Sequence, residues 1–592
     1  MPSATPGILF LGRASASLSV LCAFIYGCRF VLINHLGVEI PFSKLLVGTT
    51  LGVPVLLALK LAHEELYQRR RAYALGARLV PRVRGWLPGN LDLLLHLLNN
   101  LKNGYPSDGQ VEWIDKYGNT LNLRVFYEDL IFTTEPENIK TILASGFPNY
   151  EKGEKFRSAM ASVLGTGVFN SDGAMWKFHR SMTRPFFSRD RITDFENFGR
   201  HADDVIAQMK ARFRQGYAVD FQDAISRFTL DSATEFLFGH DVRSLATGLP
   251  YPHTAAHLNA AHSSPAEDFA VAFGRSQELI SQRARIGWIW PLFEIFKDTT
   301  AESMKVVNGF LDPILKEAVE KQRVAGEGFE DKEAVGEAET LLDHLVKLTT
   351  DHVVLKDEIL NILIAGRDTT AATLTFAVYL LATNPAALVR LREEVLASVG
   401  TSAKPTYDNI KDMKYLRAVI NETLRLFPAV PFDARETVHE TTWPSSDPTQ
   451  RPLYIPAKTR IVYSVFAMHR RPELWGPDAL EFDPERFLDA RVQRYLTKNP
   501  FMFLPFNAGP RICLGQQFAY NEMSFMLIRL LQTFASFTLD TASQPPETRP
   551  PASWASEPGR KGIEQFWPKM HLTMYSHGGL WVRMEEADTA QA

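Results

Sequence analysis

One cysteine is placed in the sequence where it could bind a metal. Cys513 lies in a glycine- and proline-rich loop near the C-terminus, directly before a helical pattern from 516 to 534. The free N–H groups and the dipole at the start of a helix favour a thiolate, so we predict a lowered pKa for this sulfur. A thiolate is a suitable ligand for iron. The two other cysteines, Cys22 and Cys28, lie in an apolar N-terminal stretch and are expected to pack as small hydrophobic residues.

The residues around Cys513 are of the types that a flat macrocycle would need. Phe506 can lie against its face, and Gly509 and Gly515 let the backbone pass close to it. Arg511 can pair with an acidic group at its edge. The run resembles the heme-binding loop of the cytochrome P-450 family, Phe-x-x-Gly-x-Arg-x-Cys-x-Gly, and matches each defined position. The resemblance implies heme b (iron-protoporphyrin IX) as cofactor, with Cys513 as the ligand of the metal.

Two further motifs match that family on the side of the heme edge. Trp176 and Arg180 stand four residues apart, so a helix would place both on one face. They are similar to the family's Trp-x-x-x-Arg, which implies that both donate to a heme propionate. The resemblance implies another propionate ligand at Arg435, ten residues beyond Arg425. The alternative for Arg435 is an ordinary surface arginine.

A third motif is expected to be structural. Glu422 and Arg425 are three residues apart and can form an ion pair on one helical face. With Arg486 downstream they resemble the Glu-Arg-Arg cluster that braces the family's fold behind the heme. Such pairs are also common on solvated helices.

A long helical pattern from 356 to 383 carries unexpected polar residues at its centre. Gly366, Asp368 and Thr369 lie in the run Ala365 to Thr370, which is similar to the family's oxygen-activation stretch. The resemblance implies that Gly366 opens a groove for dioxygen and that Asp368 and Thr369 handle water and protons. The alternative is a helix with a polar kink.

The elements that must position these motifs are mostly helices. Helix-length amphipathic stretches run from 195 to 213 and from 221 to 237, and short strand-like runs cover 122–126 and 130–133. We therefore predict a mainly α fold with a smaller β region, and the resemblance implies the cytochrome P-450 fold. Residues 1–85 are predicted to be an N-terminal membrane anchor with a basic linker, and residues 86–592 the catalytic domain. An acidic patch at 326–339 is expected to be a solvated loop.

The N-terminus contains two apolar runs, 18–33 and 45–62, each marginal for the ~20 residues that span a bilayer. Six arginines follow between 69 and 84, a flank that favours the cytosolic side. We predict attachment to membrane lipid of the endoplasmic reticulum, with the catalytic domain facing the cytosol. The alternatives are a buried soluble helix and a cleaved signal peptide.

Composition excludes one class of partner. With 64 Lys and Arg against 67 Asp and Glu, the net charge is −3, and no long basic run or zinc-finger spacing occurs. Nucleic-acid binding is therefore not expected. Three cysteines in 592 residues cannot form a disulfide framework, which indicates a reducing compartment.

The resemblance implies a monooxygenase that inserts one oxygen atom from O2 into a hydrophobic small molecule. The electrons would come from NADPH through a separate NADPH-cytochrome reductase, because too few residues follow Cys513 for a flavin domain and no Gly-x-Gly-x-x-Gly run is evident. Similarity to fungal microsomal members indicates a long-chain alkane, a fatty acid or a similar xenobiotic as substrate. The alternatives are a hydroxylase of aromatic hydrocarbons, a heme-thiolate isomerase or dehydratase acting on lipid peroxides, and a non-catalytic heme sensor.

Overall fold

Helices make up most of the protein. The computed structural model describes residues 4–37, 41–187, 195–259, 264–325 and 339–587. The α-helices in these residues are α1 Pro6–Leu36, α2 Phe42–Ala74, α3 Leu91–Asn103, α4 Gln110–Tyr117, α5 Pro136–Lys140, α6 Glu154–Leu164, α7 Gly173–Thr183, α8 Glu196–Arg214, α9 Phe221–Phe238, α10 Pro265–Ile286, α11 Ala301–Ala325, α12 Leu341–Leu348, α13 His352–Thr383, α14 Pro385–Val399, α15 Tyr407–Asp412, α16 Lys414–Leu426, α17 Val465–Met468, α18 Pro472–Trp475, α19 Gln516–Thr533 and α20 Arg560–Ile563.

The strands form small sheets. They are β1 Arg78–Leu79, β2 Thr120–Asn122, β3 Leu130–Thr133, β4 Tyr150–Glu151, β5 Val219–Asp220, β6 Phe432–Thr437, β7 Thr441–Trp443, β8 Leu453–Ile455, β9 Arg460–Ser464, β10 Phe534–Leu539, β11 Pro568–Met570, β12 Met574–Ser576 and β13 Trp581–Glu586. The largest sheet has the order β2-β3-β9-β6-β4, in which β3 and β9 are parallel. β11 and β12 form a separate antiparallel hairpin. The predicted mainly α fold with a smaller β region is confirmed.

The helix α13 is the central element. The Asp351 side chain caps its start by accepting hydrogen bonds from the N–H groups of Val353 and Val354, at 2.8 and 3.3 Å. Its 32 residues correspond to about 48 Å at 1.5 Å per residue. The helix contacts α9, α16 and α19 and contributes to both of the large hydrophobic clusters. Its middle is thereby held at a fixed position between the two clusters.

The sequence patterns agree closely with the helix bounds. The stretches 195–213 and 221–237 correspond to α8 and α9, and the pattern after Cys513 corresponds to α19. The predicted strand-like run 122–126 is wrong beyond its first residue: β2 ends at Asn122, because Arg124 and Phe126 adopt left-handed conformations with φ 41° and 51°. Of the acidic patch, residues 326–338 lie outside the described residues.

The two N-terminal helices carry apolar residues that remain uncovered. Phe30 in α1 and Leu51 and Leu56 in α2 are exposed. Within the described part of the chain, no one helix combines the length and the apolar character that crossing a membrane requires. In the same described residues, one pair of consecutive helices, α13 and α14, is long and apolar enough when taken together, but it is bent by 113°.

The C-terminal end of α2 is attached to the rest of the protein by charged contacts. Arg71 pairs with Glu440, and the Glu65 carboxylate lies 2.8 Å from an Nη of Arg82. Ala72 is buried against Tyr454, and β1 pairs with β8. The last turns of α2 and the segment after it therefore pack on the body of the protein, ahead of the predicted boundary at residue 85.

Candidate active site

Cys513 opens onto a cavity of about 560 Å³ in the interior of the protein. Its own N–H donates to the Phe506 carbonyl at 3.0 Å, which folds the segment between them into a tight loop. The loop ends at Gly515, and α19 begins at the next residue. The loop thus places the sulfur of Cys513 just before the start of a helix, as predicted.

The pKa of Cys513 differs from the expectation. Burial raises the pKa of the thiol, and the Gly515 N–H and the positive charge of Arg180 only partly oppose that effect. The side chain is open to the cavity yet lies deep within the protein, so desolvation outweighs the helix terminus. The predicted lowering by the helix start alone is wrong. A metal ligated by the sulfur would be what holds it as a thiolate.

Of the predicted loop residues, Phe506, Arg511 and Gly515 line the cavity and Gly509 does not. Phe506 and Gly515 are in the wall, and the Phe506 ring centroid lies 5.0 Å from that of Tyr520. Gly509 is not a lining residue: it has φ 66°, and a Cβ there would collide with the carbonyl of Leu143. A glycine is therefore required at position 509 because another backbone segment approaches it closely, and not for the predicted approach to the macrocycle.

The helix α7 brings Trp176 and Arg180 to the same cavity. Both residues line it, and the Arg180 guanidinium lies 5.9 Å from the Trp176 ring centroid. Arg511, also a lining residue, stacks over the same ring at 4.6 Å. An Nη of Arg180 donates to the Ile512 carbonyl at 2.9 Å, which ties α7 to the loop of Cys513. The predicted i,i+4 spacing thus places Arg180 beside the Trp176 ring, and Arg511 of the loop lies over the same ring.

Arg435 is buried and is not a surface arginine. It lines the cavity, and its Nη1 donates to the Asp433 carboxylate at 2.9 Å. Lys152 contacts the same carboxylate at 2.8 Å, and the Tyr463 hydroxyl donates to it at 3.0 Å. Burial alone would raise the pKa of Asp433, but Arg435 and Lys152 hold it well below its usual range. Burial in turn lowers the pKa of Lys152 to about 8.

This side of the cavity has an excess of positive charge. Among the described residues it holds four cations, Lys152, Arg180, Arg435 and Arg511, against two carboxylates, those of Asp172 and Asp433. Burying unbalanced charge is unfavourable unless a ligand supplies the opposite charge. The two propionates of a heme would supply it. The donor set and a sulfur ligand on the same cavity therefore fit heme, with these cations at its edge.

The middle of α13 forms another part of the wall. Gly366 and Thr369 both line the cavity. A Cβ placed on Gly366 would meet only the Cβ of Ala233, at 3.9 Å, so this position leaves open space beside the helix. The Thr369 hydroxyl donates back to the Ala365 carbonyl at 2.6 Å. Thr369 is thus a rotatable hydroxyl with one proton at the edge of the cavity.

Asp368 lies outside the lining residues. One of its carboxylate oxygens is 3.5 Å from an Nη of Arg367, and the other is buried with no hydrogen-bond partner among the described residues. The adjacent positions 368 and 369 therefore differ: the hydroxyl faces the cavity, whereas the carboxyl points into the surrounding protein. A water or a small movement would be needed to connect them.

Glu422, Arg425 and Arg486 form one buried cluster. Arg425 donates from Nε and Nη2 to the Glu422 carboxylate at 2.7 and 2.8 Å, and Arg486 Nε lies 3.4 Å from it. None of the three is more than 1% exposed. The arginines also donate to the carbonyls of His469, Trp475 and Glu481. The cluster thus joins α16 to the segment that precedes the Cys513 loop, and none of the three lines the cavity.

The rest of the wall is largely apolar. Ala365, Ala429, Val430 and Phe432, and several residues of the segment 147–169, line it. The structure adds two regions that sequence reasoning missed. These are one face of α3 together with the hairpin β11–β12, and their apolar lining residues are Leu94, Leu97, Leu98, Leu101, Met570 and Leu572.

The charged partners of the arginines were also missed. Asp172 lies 2.9 Å from Arg511, and Asp433 and Lys152 form the pair described above. Only Asp433 had a signal in the sequence, since it stands two residues before Arg435 and alternate strand residues share a face. Asp172 and Lys152 have no fixed spacing from any motif.

Comparison with known proteins agrees with this geometry. The family model described as Cytochrome P450 matches residues 87–561. The chain is 37% identical over 422 residues to "Cytochrome P450 52-M1" of Starmerella bombicola, covering 69% of this chain and 76% of that protein. It is 37% identical over 435 residues to "Cytochrome P450 monooxygenase pvhE" of Talaromyces variabilis (70% and 76%). It is 34% identical over 511 residues to "Cytochrome P450 52E2" of Candida apicola (84% and 93%).

Proposed function

Because the chain belongs to the cytochrome P450 family, we propose that it inserts one oxygen atom of O2 into a C–H bond of a hydrophobic substrate. The chain is a monooxygenase of this family, whose cofactor is heme. One observation carries the proposal: the Cys513 side chain and the Thr369 hydroxyl, from two different elements, line one largely apolar cavity. A metal ligand, a proton donor and room for a substrate therefore meet there.

The residues of the chain have separable tasks in this proposal. Heme, when bound, supplies the iron centre that activates dioxygen. Cys513 would ligate the metal, and Trp176, Arg180, Arg435, Arg511 and Lys152 would hold the propionates. Gly366 leaves space for dioxygen beside α13. The Thr369 Oγ1 donates a proton toward the dioxygen. Asp368, through water, then supplies Thr369 with a new proton from solvent.

The electrons come from NADPH through a separate NADPH-cytochrome reductase. Lys177, on the same helix as Trp176 and Arg180, is exposed while those two residues face the cavity. This surface of α7 lies near the Cys513 loop, to which Arg180 is hydrogen-bonded. We place the docking surface of the reductase there.

The substrate is a long-chain alkane or fatty acid. The apolar wall from α3 to α13 suits a hydrocarbon chain, and the resemblance to fungal microsomal enzymes supports the same class. An aromatic hydrocarbon is the second candidate within the same chemistry. An isomerase or dehydratase of lipid peroxides is the candidate outside it.

The substitution Thr369→Ala tests the proposed reaction. It removes the hydroxyl from the wall but leaves Cys513 and the cations at the heme edge in place. With reductase and NADPH, we expect NADPH consumption to persist while product falls on the order of 10²-fold, the lower range for a positioned proton donor. The reduced oxygen should leave as hydrogen peroxide. NADPH, peroxide and hydroxylated product are measured for both proteins.

Two results would contradict the proposal at different points. Unchanged coupling of NADPH to product in Thr369→Ala would remove the proton-transfer role of the hydroxyl. Conversion of a lipid hydroperoxide by the wild-type protein without NADPH or reductase, with no product in their presence, would identify an isomerase or dehydratase. The control variant is Thr383→Ala, which deletes a hydroxyl bonded to the Tyr379 carbonyl at the far end of α13.

We further propose that residues 1–60 attach the protein to the endoplasmic reticulum membrane, with the catalytic body in the cytosol. The exposed apolar residues of α1 and α2 support this placement, since such a surface is unfavourable in water. Of the basic side chains that follow them, Arg71 in α2 pairs with Glu440 of the body, and Arg82 beyond α2 pairs with Glu65.

Deletion of residues 1–60 is expected to release the protein from membranes with its heme spectrum intact. The cut leaves Glu65, Arg71 and Ala72, whose contacts pack the end of α2 on the body. The measurement is the distribution of the heme spectrum between membrane and soluble fractions after a high-salt wash. A truncated protein that stays in the membrane fraction would assign membrane contact to the body itself.

A further inference from the structure

The cavity has a second group of basic residues, away from the cations at the heme edge. Arg285, in the last turn of α10, lines it together with Lys569 and His571 of the hairpin β11–β12. The wall around them includes the apolar residues of α3, among them Leu98 and Leu101. A largely apolar channel therefore has a cationic region on the side of the hairpin.

Arg285 has no acidic partner at hydrogen-bonding distance among the described residues. Its Nη2 donates to the carbonyl oxygens of Met570 and His571, each at 3.0 Å. Arg283, on the same helix, shows the usual arrangement: it donates to the Glu294 carboxylate at 2.7 and 2.6 Å. Burial lowers the pKa of Arg285 to about 10, so the guanidinium is still charged at neutral pH.

The carboxylates that act electrostatically on Arg285 and His571 are engaged elsewhere. Glu278 interacts with Arg285 only electrostatically, at longer range than a hydrogen bond. Its carboxylate binds Arg275 and Gln282 on the exposed face of α10. Asp368 acts on His571 in the same way and lies beside Arg367. The charge of Arg285 thus faces the cavity without a counter-ion from either.

Lys569 adds to the same positive region. Its ammonium lies 3.9 Å from the Trp567 ring centroid and donates to the Lys102 carbonyl, with no carboxylate partner in the described chain. Burial and the charge of Lys102 lower its pKa to about 8. Two partly buried cations on one side of an apolar channel are costly unless a ligand brings negative charge.

We propose that Arg285, supported by Lys569, binds the carboxylate of a long-chain fatty acid and so makes this enzyme selective for acids over alkanes. The inference rests on the proposed function, because the same cavity must hold the chain. A guanidinium offers two parallel N–H groups that match a carboxylate. The chain then lies along the apolar wall, and its end remote from the carboxylate is directed toward Cys513.

The test compares two ligands of equal chain length, hexadecanoate and hexadecane, on the full-length holoenzyme. Dissociation constants are taken from substrate-induced difference spectra. In Arg285→Gln we expect the constant for the acid to rise about tenfold or more, the scale of a lost hydrogen bond to a charged group. The constant for the alkane should change far less, and Arg285→Lys should retain part of the affinity for the acid.

A matched control removes a charge nearby but outside the cavity. Lys102→Gln leaves the backbone carbonyl that Lys569 contacts, and its side chain is exposed and does not line the cavity. Because the charge of Lys102 lowers the pKa of Lys569, removing it favours protonated Lys569, so we expect no weakening of the acid and no change for the alkane. A loss equal to that of Arg285→Gln would show general surface electrostatics and overturn the subsite.

Three further outcomes overturn the subsite: equal weakening of acid and alkane in Arg285→Gln, no weakening of either, or no preference of the wild-type protein for the acid. Failure of the proposed function looks different. In that case the wild-type protein binds the acid in an Arg285-dependent manner but forms no hydroxylated product with NADPH and reductase.

Discussion

Replacement of Cys513 by serine is expected to abolish product formation and the red-shifted carbon monoxide band of the reduced protein. Only a thiolate ligand gives that electronic signature, and in the described chain Cys513 is the cysteine that opens onto the cavity. Serine keeps the size of the side chain, so the tight loop and the Cys513 N–H bond to Phe506 should persist. Absorption spectra of the carbon monoxide complex and product analysis measure the two losses.

The matched control is Cys28→Ser. Cys28 is also a free cysteine, but it lies on α1 far along the chain from the loop. The substitution Cys28→Ser should leave the carbon monoxide spectrum and the product yield as in the wild-type protein. Retention of the carbon monoxide band in Cys513→Ser would remove this cysteine as ligand of the metal.

Glu422→Ala is expected to prevent accumulation of folded holoprotein. The substitution leaves Arg425 buried without a carboxylate partner and leaves Arg486 with Asp478 alone, and a stranded buried charge costs roughly 3–5 kcal/mol. That is a large part of the stability of a typical protein. Arg425→Ala should act similarly, since it strands Glu422. Yield of heme-loaded protein and the urea midpoint of unfolding measure the effect.

A surface pair of the same spacing supplies the control. Glu320 and Arg323 on α11 are also three residues apart and lie within 2.7 Å, but both are exposed. Glu320→Ala should therefore change the unfolding midpoint little, because water screens such pairs. Normal yield and stability of Glu422→Ala would show that the buried cluster is dispensable.

The motifs that act through local spacing could be predicted from the sequence. The positions of Cys513 before α19, of Trp176 and Arg180 on one face of α7, and of Thr369 within α13 each follow from neighbours within one or two helical turns. The helix bounds followed from the same periodicity. These features require no knowledge of how distant segments meet.

What could not be predicted depends on contacts between distant segments. The clash that makes Gly509 necessary involves Leu143, more than 300 residues earlier. The acid partner of Arg511 is Asp172, and Arg285 meets a hairpin near the C-terminus. The raised pKa of Cys513 likewise reflects burial by the whole fold, which outweighs a helix terminus that is visible locally.

The continuous helix α2 has a mechanical consequence. It runs from Phe42 to Ala74, and the contacts of Glu65 and Arg71 join its end to the body. A helix is a rod and not a flexible tether. With its first turns in the proposed membrane position, the body would be carried at a limited distance above the lipid surface, and Pro54 within α2 is the point where the helix can bend. In the proposed arrangement, a reductase on the same membrane would meet this protein by a two-dimensional search, which would raise the effective concentration of productive encounters.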